Sequence, residues 1–249
     1  MTRKAATCAL SLLAIVIAAA MTGCVGINIV TPNNTVEGSG PAVSKTYETG
    51  SYDAVDIGGG FEVVYSQSET SQATIEIQEN LLEHITVKTE GSRLKVEWDG
   101  NLITTNGKSP KLTLSTPTLR EISCYGGVTM TEADQIAGDS FRLEIAGGGL
   151  IDLDLDVEKF DLDISGAGAV TLNGRAATAE ILITGAGSCQ AFGLETQDAT
   201  VDITGAGTGE ITAENTLDAS ITGAGSLEYK GNPTLTKDIV GVGSVRKAD

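Results

Sequence analysis

Aromatic side chains are scarce in this sequence: four Phe, five Tyr and one Trp among 249 residues. That is too few for an evident ladder of sugar-stacking rings, so Trp98, Tyr125 and Tyr229 read as core or rim residues. Histidine occurs once, at His84. A His-dependent hydrolase would rest wholly on that residue, and no nucleophile elbow accompanies it. Basic residues are also few, 16 Lys and Arg against 33 Asp and Glu, for a net charge of −17. Nucleic-acid binding is excluded, because neutralising phosphates requires clustered Lys and Arg. Glycine, in contrast, is abundant at 31 residues. It does not recur at every third position, which excludes collagen, and a hydrophobic content of 41% excludes wholesale disorder.

The N-terminus carries an address. Arg3 and Lys4 precede an apolar run from Ala5 to Ala20 that only Thr7 and Ser11 interrupt. About 16 residues is short for a bilayer span but suits a secretory signal. The run ends in Met21-Thr22-Gly23-Cys24, which resembles a bacterial lipobox, with Met21 where Leu is usual. The resemblance implies removal of residues 1–23, acylation of Cys24 and membrane attachment through lipid. With Arg3 and Lys4 gone, the net charge of −17 becomes −19. Such acidity repels anionic membrane surfaces, so attachment falls to the lipid alone. Val25 stands where Asp would imply inner-membrane retention, which favours the outer membrane or cell surface. Residues 24–44 mix Gly, Pro, Asn and Ser without a period and read as the lipidated end and a flexible tether.

A repeat dominates the second half. Short turns are centred on Gly147, Gly166, Gly185, Gly205, Gly223 and Gly241, mostly as Gly-Ala-Gly, at spacings of 19, 19, 20, 18 and 18 residues. Tyr125-Gly126-Gly127 looks like a degenerate earlier member. At six, four and two residues before each glycine, 17 of 18 positions are apolar; the interleaved positions are apolar in 3 of 18. This period of two defines a strand with one buried face. A shorter alternating strand follows each turn, and the 20-residue unit is expected to carry an extra residue that shifts Gly209 and Ile211. Antiparallel hairpins would not return one residue type to one register every 18–20 residues, whereas parallel stacking would. The predicted fold is all-β, a right-handed parallel β-helix of 18–20-residue coils. Glycine at the corners admits backbone geometry closed to other residues and leaves room for the next coil.

This register also separates the cysteines. Cys8 leaves with the signal. Cys124 falls in the isoleucine ladder, and Cys189 lies on another inward face about three coils away, roughly 14 Å at 4.8 Å per coil. That is too far for a disulfide, so both are expected to be buried, reduced and inert. The first half alternates less regularly, at residues 54–57, 61–65, 73–77, 85–88, 94–98 and 111–114, with one helical turn around Asn80–His84. Residues 45–249 read as a single domain: irregular early coils over 45–123, then regular repeats over 124–249. Lys237, Arg246, Lys247 and Asp249 place charge on the last coil and discourage end-to-end pairing.

The succession Tyr52-Asp53-Ala54-Val55, Gly59-Gly60-Phe61-Glu62-Val63, Asn80-Leu81-Leu82, Leu94-Lys95-Val96 and the Gly-Ala-Gly turns resembles the head GIN domain family of auto-transporter adhesins. The resemblance implies a right-handed β-helix on an exported bacterial protein and brings no catalytic residues.

Candidate chemistry is sparse. The glycine turns lack the Lys-Ser/Thr and the long helix of a phosphate loop, so no nucleotide cofactor is expected. Asp152, Asp154 and Asp156 alternate with leucines and share an outward face. They are the candidate face for a ligand or for Ca²⁺, or for acid–base work on a glycoside. A solvated acidic face is the plainer expectation, so no catalytic residue and no metal site is assigned. Arg142, Lys159, Arg175, Lys230 and Lys237 are read as scattered over different registers. The chain is thus expected to be a lipid-anchored, non-enzymatic, adhesin-like module that binds an envelope or extracellular protein or glycan. A polysaccharide-processing β-helix enzyme and a structural envelope scaffold are the alternatives.

Overall fold

The computed structural model describes residues 35–99, 101–104 and 107–248. The signal at 1–23, Cys24 and the first part of the tether lie outside the described residues, as does Asp249. The first half supplies β1 (Thr35–Glu37), β2 (Ala42–Glu48), β3 (Ala54–Gly58), β4 (Glu62–Gln67) and β5 (Gln72–Gln78). A short 3₁₀ helix (Glu79–His84) leads into β6 (Ile85–Glu90), β7 (Arg93–Trp98), β8 (Asn101–Ile103) and β9 (Lys111–Thr116). The second half runs through β10 (Glu121–Ala133), β11 (Ile136–Gly166), β12 (Ala169–Gly185), β13 (Ser188–Gly205) and β14 (Thr208–Gly223). It ends with β15 (Ser226–Lys230), β16 (Thr234–Gly241) and β17 (Ser244–Lys247).

From β10 onward every pairing is parallel, and the strands stack rung on rung into a β-solenoid. Ile183 pairs with Ile164 on one side and Ile203 on the other, and Ile221 and Ile239 continue the column. Below it the same column runs through Ile145, Cys124, Ile57 and Val96. Because side chains alternate across a strand, a register held by one ladder holds the others. Phe141, Leu143, Phe160, Leu162, Ile181 and Val201 are buried accordingly.

The glycine corners form a second column. Gly126, Gly147, Gly166, Gly185, Gly205, Gly223 and Gly241 all have positive φ. At Gly205, with φ +118°, a Cβ would lie 2.5 Å from the carbonyl oxygen of Gly185. That carbonyl accepts the backbone N–H of Ala206 at 2.8 Å. Positive φ and close stacking therefore exclude a side chain together. Gly59 starts the column: a Cβ on Gly126 would meet its carbonyl, and the Trp98 ring covers Gly59 itself. Trp98 also packs against Phe61, ring centres 5.2 Å apart. Its role is to close the corner column at the N-terminal end.

Three features differ from the sequence expectation. Gly209 is not shifted; it pairs with Cys189 and Leu227 in regular register, and the Leu227 side chain reaches into the space it leaves. The extra residue of the 20-residue coil sits at the opposite corner, where the register slips between Thr171 and Asn173 on β12 and is one residue longer on β13. Beyond it, the hydroxyls of Thr196 and Thr212 donate to the carbonyls of Thr212 and Phe192 at 2.7 and 3.0 Å, satisfying groups that the irregular ladder leaves unpaired.

The early half, in turn, is not simply a set of looser coils. β3 stacks in parallel on β10 and β7, and β4 on β10 and β9, but β2–β5, β5–β9 and β6–β7 are antiparallel. These antiparallel pairs cover the first rungs. The folded unit also begins before residue 45. Val36 on β1 packs against the core, and Val43 on β2 pairs with Ile77, so the end of the expected tether is strand.

Both described cysteines are free and buried. Burial pushes the Cys124 and Cys189 thiols up to about 12, so neither forms a thiolate at neutral pH. A disulfide-exchange thiol reagent is expected to leave both unmodified in the native chain and to modify both in denaturant. Rapid modification of either one in the native state would contradict the placement.

Candidate functional site

Asp152, Asp154 and Asp156 do share one outward face of β11, but each is engaged by a different neighbour. Asn173 approaches Asp152 at 3.5 Å, and Gln135 donates to Asp154 at 3.0 Å. Arg175 forks onto both oxygens of Asp156 at 2.6 and 2.9 Å. That guanidinium holds the Asp156 carboxyl below its usual range. The aspartates therefore turn toward the neighbouring rungs rather than toward one point, and among the described residues no group of three His, Cys, Asp or Glu is placed to hold a metal ion. His84 lies beside Glu83 at 3.8 Å, and its carbonyl accepts the Asp99 N–H at 2.7 Å.

Concave surface is most extensive around the first coils, with a further depression of about 420 Å³ beside Asp156 and Arg175. One cleft of about 510 Å³ is lined by Ser51, Tyr52, Asp53, Thr70, Ser92 and Thr116, among others. A neighbouring cleft of about 560 Å³ shares Glu69 and Pro117 with it. A third depression, of about 330 Å³, shares Asp53 and Ser92 and adds Arg93, Arg120 and Arg142. All three are open to solvent and lined largely by polar and charged residues, although apolar atoms supply more of the first cleft's surface. Tyr52 forms the buried floor of the first, its hydroxyl between the carbonyls of Gln72 and Ser115 at 2.9 and 2.8 Å. Burial raises its pKa, so the phenol stays protonated and clamps two strands together.

The arginines converge through topology. Parallel pairing of Ala54 with Arg93 and with Glu121, and of Glu121 with Arg142, places residues 93, 54, 121 and 142 on successive rungs. Arg93 is fixed by Glu121 at 2.7 Å and Asp56 at 2.5 Å. Lys159 is held by Asp161 at 2.8 Å, with Arg142 close enough to oppose its protonation. Arg142 thus meets two arginines from the first half, Arg93 and Arg120, at one depression, while Lys159 stands two residues off its register. The signal lay in Gly58-Gly59-Gly60, where Val55 and Ile57 stand four and two residues before Gly59, as the repeat requires. The 66 residues between Gly59 and Gly126 hide that rung.

A solenoid of short parallel coils, cornered by glycine and open along its flank, defines a repeat protein with a rigid extended surface. The chain belongs to the head GIN domain family, described as "Putative auto-transporter adhesin, head GIN domain", whose sequence profile matches residues 51–233. Among solved structures it is similar to one described as a putative adhesin from Bacteroides fragilis, at 26% identity and TM-score 0.79, covering 86% of this chain and 100% of that one. A structure described as a putative lipid binding protein from Parabacteroides distasonis aligns at 20% identity and TM-score 0.69, covering 87% and 100%. One described as a putative adhesin from Parabacteroides merdae aligns at 22% and 0.66, also covering 87% and 100%. The last two share the fold. No curated protein matches the sequence.

Proposed function

We propose that this chain is a lipid-anchored, non-enzymatic binding module of the bacterial envelope. In this reading residues 1–23 direct export, acylated Cys24 holds the chain to the outer membrane or cell surface, and the solenoid presents its flank to an envelope or extracellular partner. The observation that carries it is the form of the concave surface. The clefts around Asp53 and Ser92 are open to solvent and edged by hydroxyl-bearing and charged residues, suited to gripping part of a larger partner rather than enclosing a small substrate away from water. The description of the Bacteroides fragilis structure as a putative adhesin supports the same reading. Among the described residues no helix is long and apolar enough to cross a membrane; in this reading attachment rests on the lipid at Cys24.

Display is tested by treating intact cells that express the full chain with a membrane-impermeant amine reagent. Labelling of the solenoid before lysis is expected. Labelling only after lysis would contradict surface display.

A further inference from the structure

The depression lined by Arg93, Arg120 and Arg142 gathers three of the 16 basic residues of a strongly acidic chain. Their commitments differ. Arg93 is taken up by Glu121 and Asp56. Among the described residues the Arg120 side chain has only Asp53, at 3.9 Å, beyond hydrogen-bonding distance. Arg142 is exposed, and among the described residues its side chain has no ion-pair partner. The two lie on adjacent rungs, the Arg142 N–H donating to the Arg120 carbonyl at 2.8 Å. In the ladder Arg142 stands opposite Glu121, which is already committed to Arg93. An anion seated in the depression would meet the two planar guanidinium forks of Arg120 and Arg142.

Around these arginines the surface is rich in hydroxyls. Ser92 and Ser140 line the same depression, and Ser51, Thr70, Ser71 and Thr118 line the adjoining cleft. Asp53 borders both. About 330 Å³ and 510 Å³ side by side are of a size to take a short stretch of a longer chain. We propose that Arg120 and Arg142 clamp the carboxylate of an acidic sugar, with Ser92, Ser140 and Asp53 engaging its hydroxyls and the adjoining cleft taking the next sugar of the chain. The proposal rests on the reading of the protein as a binding module and names its ligand class. The only aromatic residue of the adjoining cleft, Tyr52, is buried, so recognition depends on charge and hydrogen bonds and weakens as salt rises.

The test is calorimetric titration of the full chain in non-ionic detergent. The probes are galacturonate, glucuronate and sialic acid oligomers, their neutral counterparts and inorganic phosphate. At least one acidic oligomer is expected to bind about tenfold more tightly than its neutral counterpart and than phosphate. Arg120→Gln and Arg142→Gln should each weaken it by about tenfold. Arg175→Gln, which removes a guanidinium engaged elsewhere by Asp156, should leave it unchanged. Arg120 and Arg142 are exposed, and unchanged circular dichroism will confirm that the variants fold. Failure of every acidic oligomer to bind would overturn the proposal, as would phosphate binding equally well. Equal binding of neutral oligomers, unaffected by both arginine variants, would remove the anionic clamp and leave the binding-module reading standing.

Discussion

Gly205→Val is expected to destabilise the protein by about 3–5 kcal/mol, the sum of two costs. A β-branched residue at φ +118° adopts backbone geometry that L-residues avoid, a penalty of about 1–2 kcal/mol. The new Cβ also lies 2.5 Å from the Gly185 carbonyl. Relieving that clash separates two rungs and strains the bond from Ala206 N–H to Gly185, for a further 2–3 kcal/mol or so. The control is next door. Ala206 is exposed, and the equivalent corner of the last coil carries Val242, so Ala206→Val should change stability by less than about 0.5 kcal/mol. Denaturant unfolding of both variants decides the matter, and equal losses would contradict the stacked-corner geometry.

Ile183→Ala should have the second large effect. Ile183 is fully buried between Ile164 and Ile203, and its neighbours are fixed by hydrogen-bonded rungs that collapse little into a cavity. A loss of about 3–4 kcal/mol is expected. At the end of the same column, Ile239 pairs with Ile221 alone and is only half-buried. Ile239→Ala should cost about 1 kcal/mol. This gradient follows from nearest-neighbour stacking, and equal values would argue for a core that is not organised by rungs.

The regular coils were legible in the sequence because one rule, apolar residues at fixed distances before a glycine, recurs at nearly constant spacing. It placed Ile145 through Ile239 on one column and assigned Cys124 to the same column before any coordinates. Legibility failed where partners are far apart in the chain. The rung formed by Val55, Ile57 and Gly59 obeys the rule, but β4 to β9 are inserted before its neighbour at Gly126, so no period reveals it. The antiparallel pairs of β2, β5 and β6 alternate like any strand, and alternation alone does not disclose direction. Strand β1 presents one apolar residue, Val36, in three, too little to separate it from a tether. The arginine cluster was hidden for the same reason. Arg93, Arg120 and Arg142 become neighbours only once the long segment between Gly59 and Gly126 folds back and β7 stacks on the column. The aspartates at 152, 154 and 156 show the converse: their alternation was evident, but only coordinates reveal that Asn173, Gln135 and Arg175 engage them separately.

The proposed role depends above all on Cys24 holding the chain at a membrane. The most direct measurement compares the full chain with Cys24→Ser in the expressing bacterium, by detergent-phase partition and intact mass. The native chain should enter the detergent phase without residues 1–23 and carry the added mass of its acyl chains, while Cys24→Ser should remain in the aqueous phase without that mass. Identical partition of the two, with no acyl mass on Cys24, would contradict lipid anchoring and with it the proposed role.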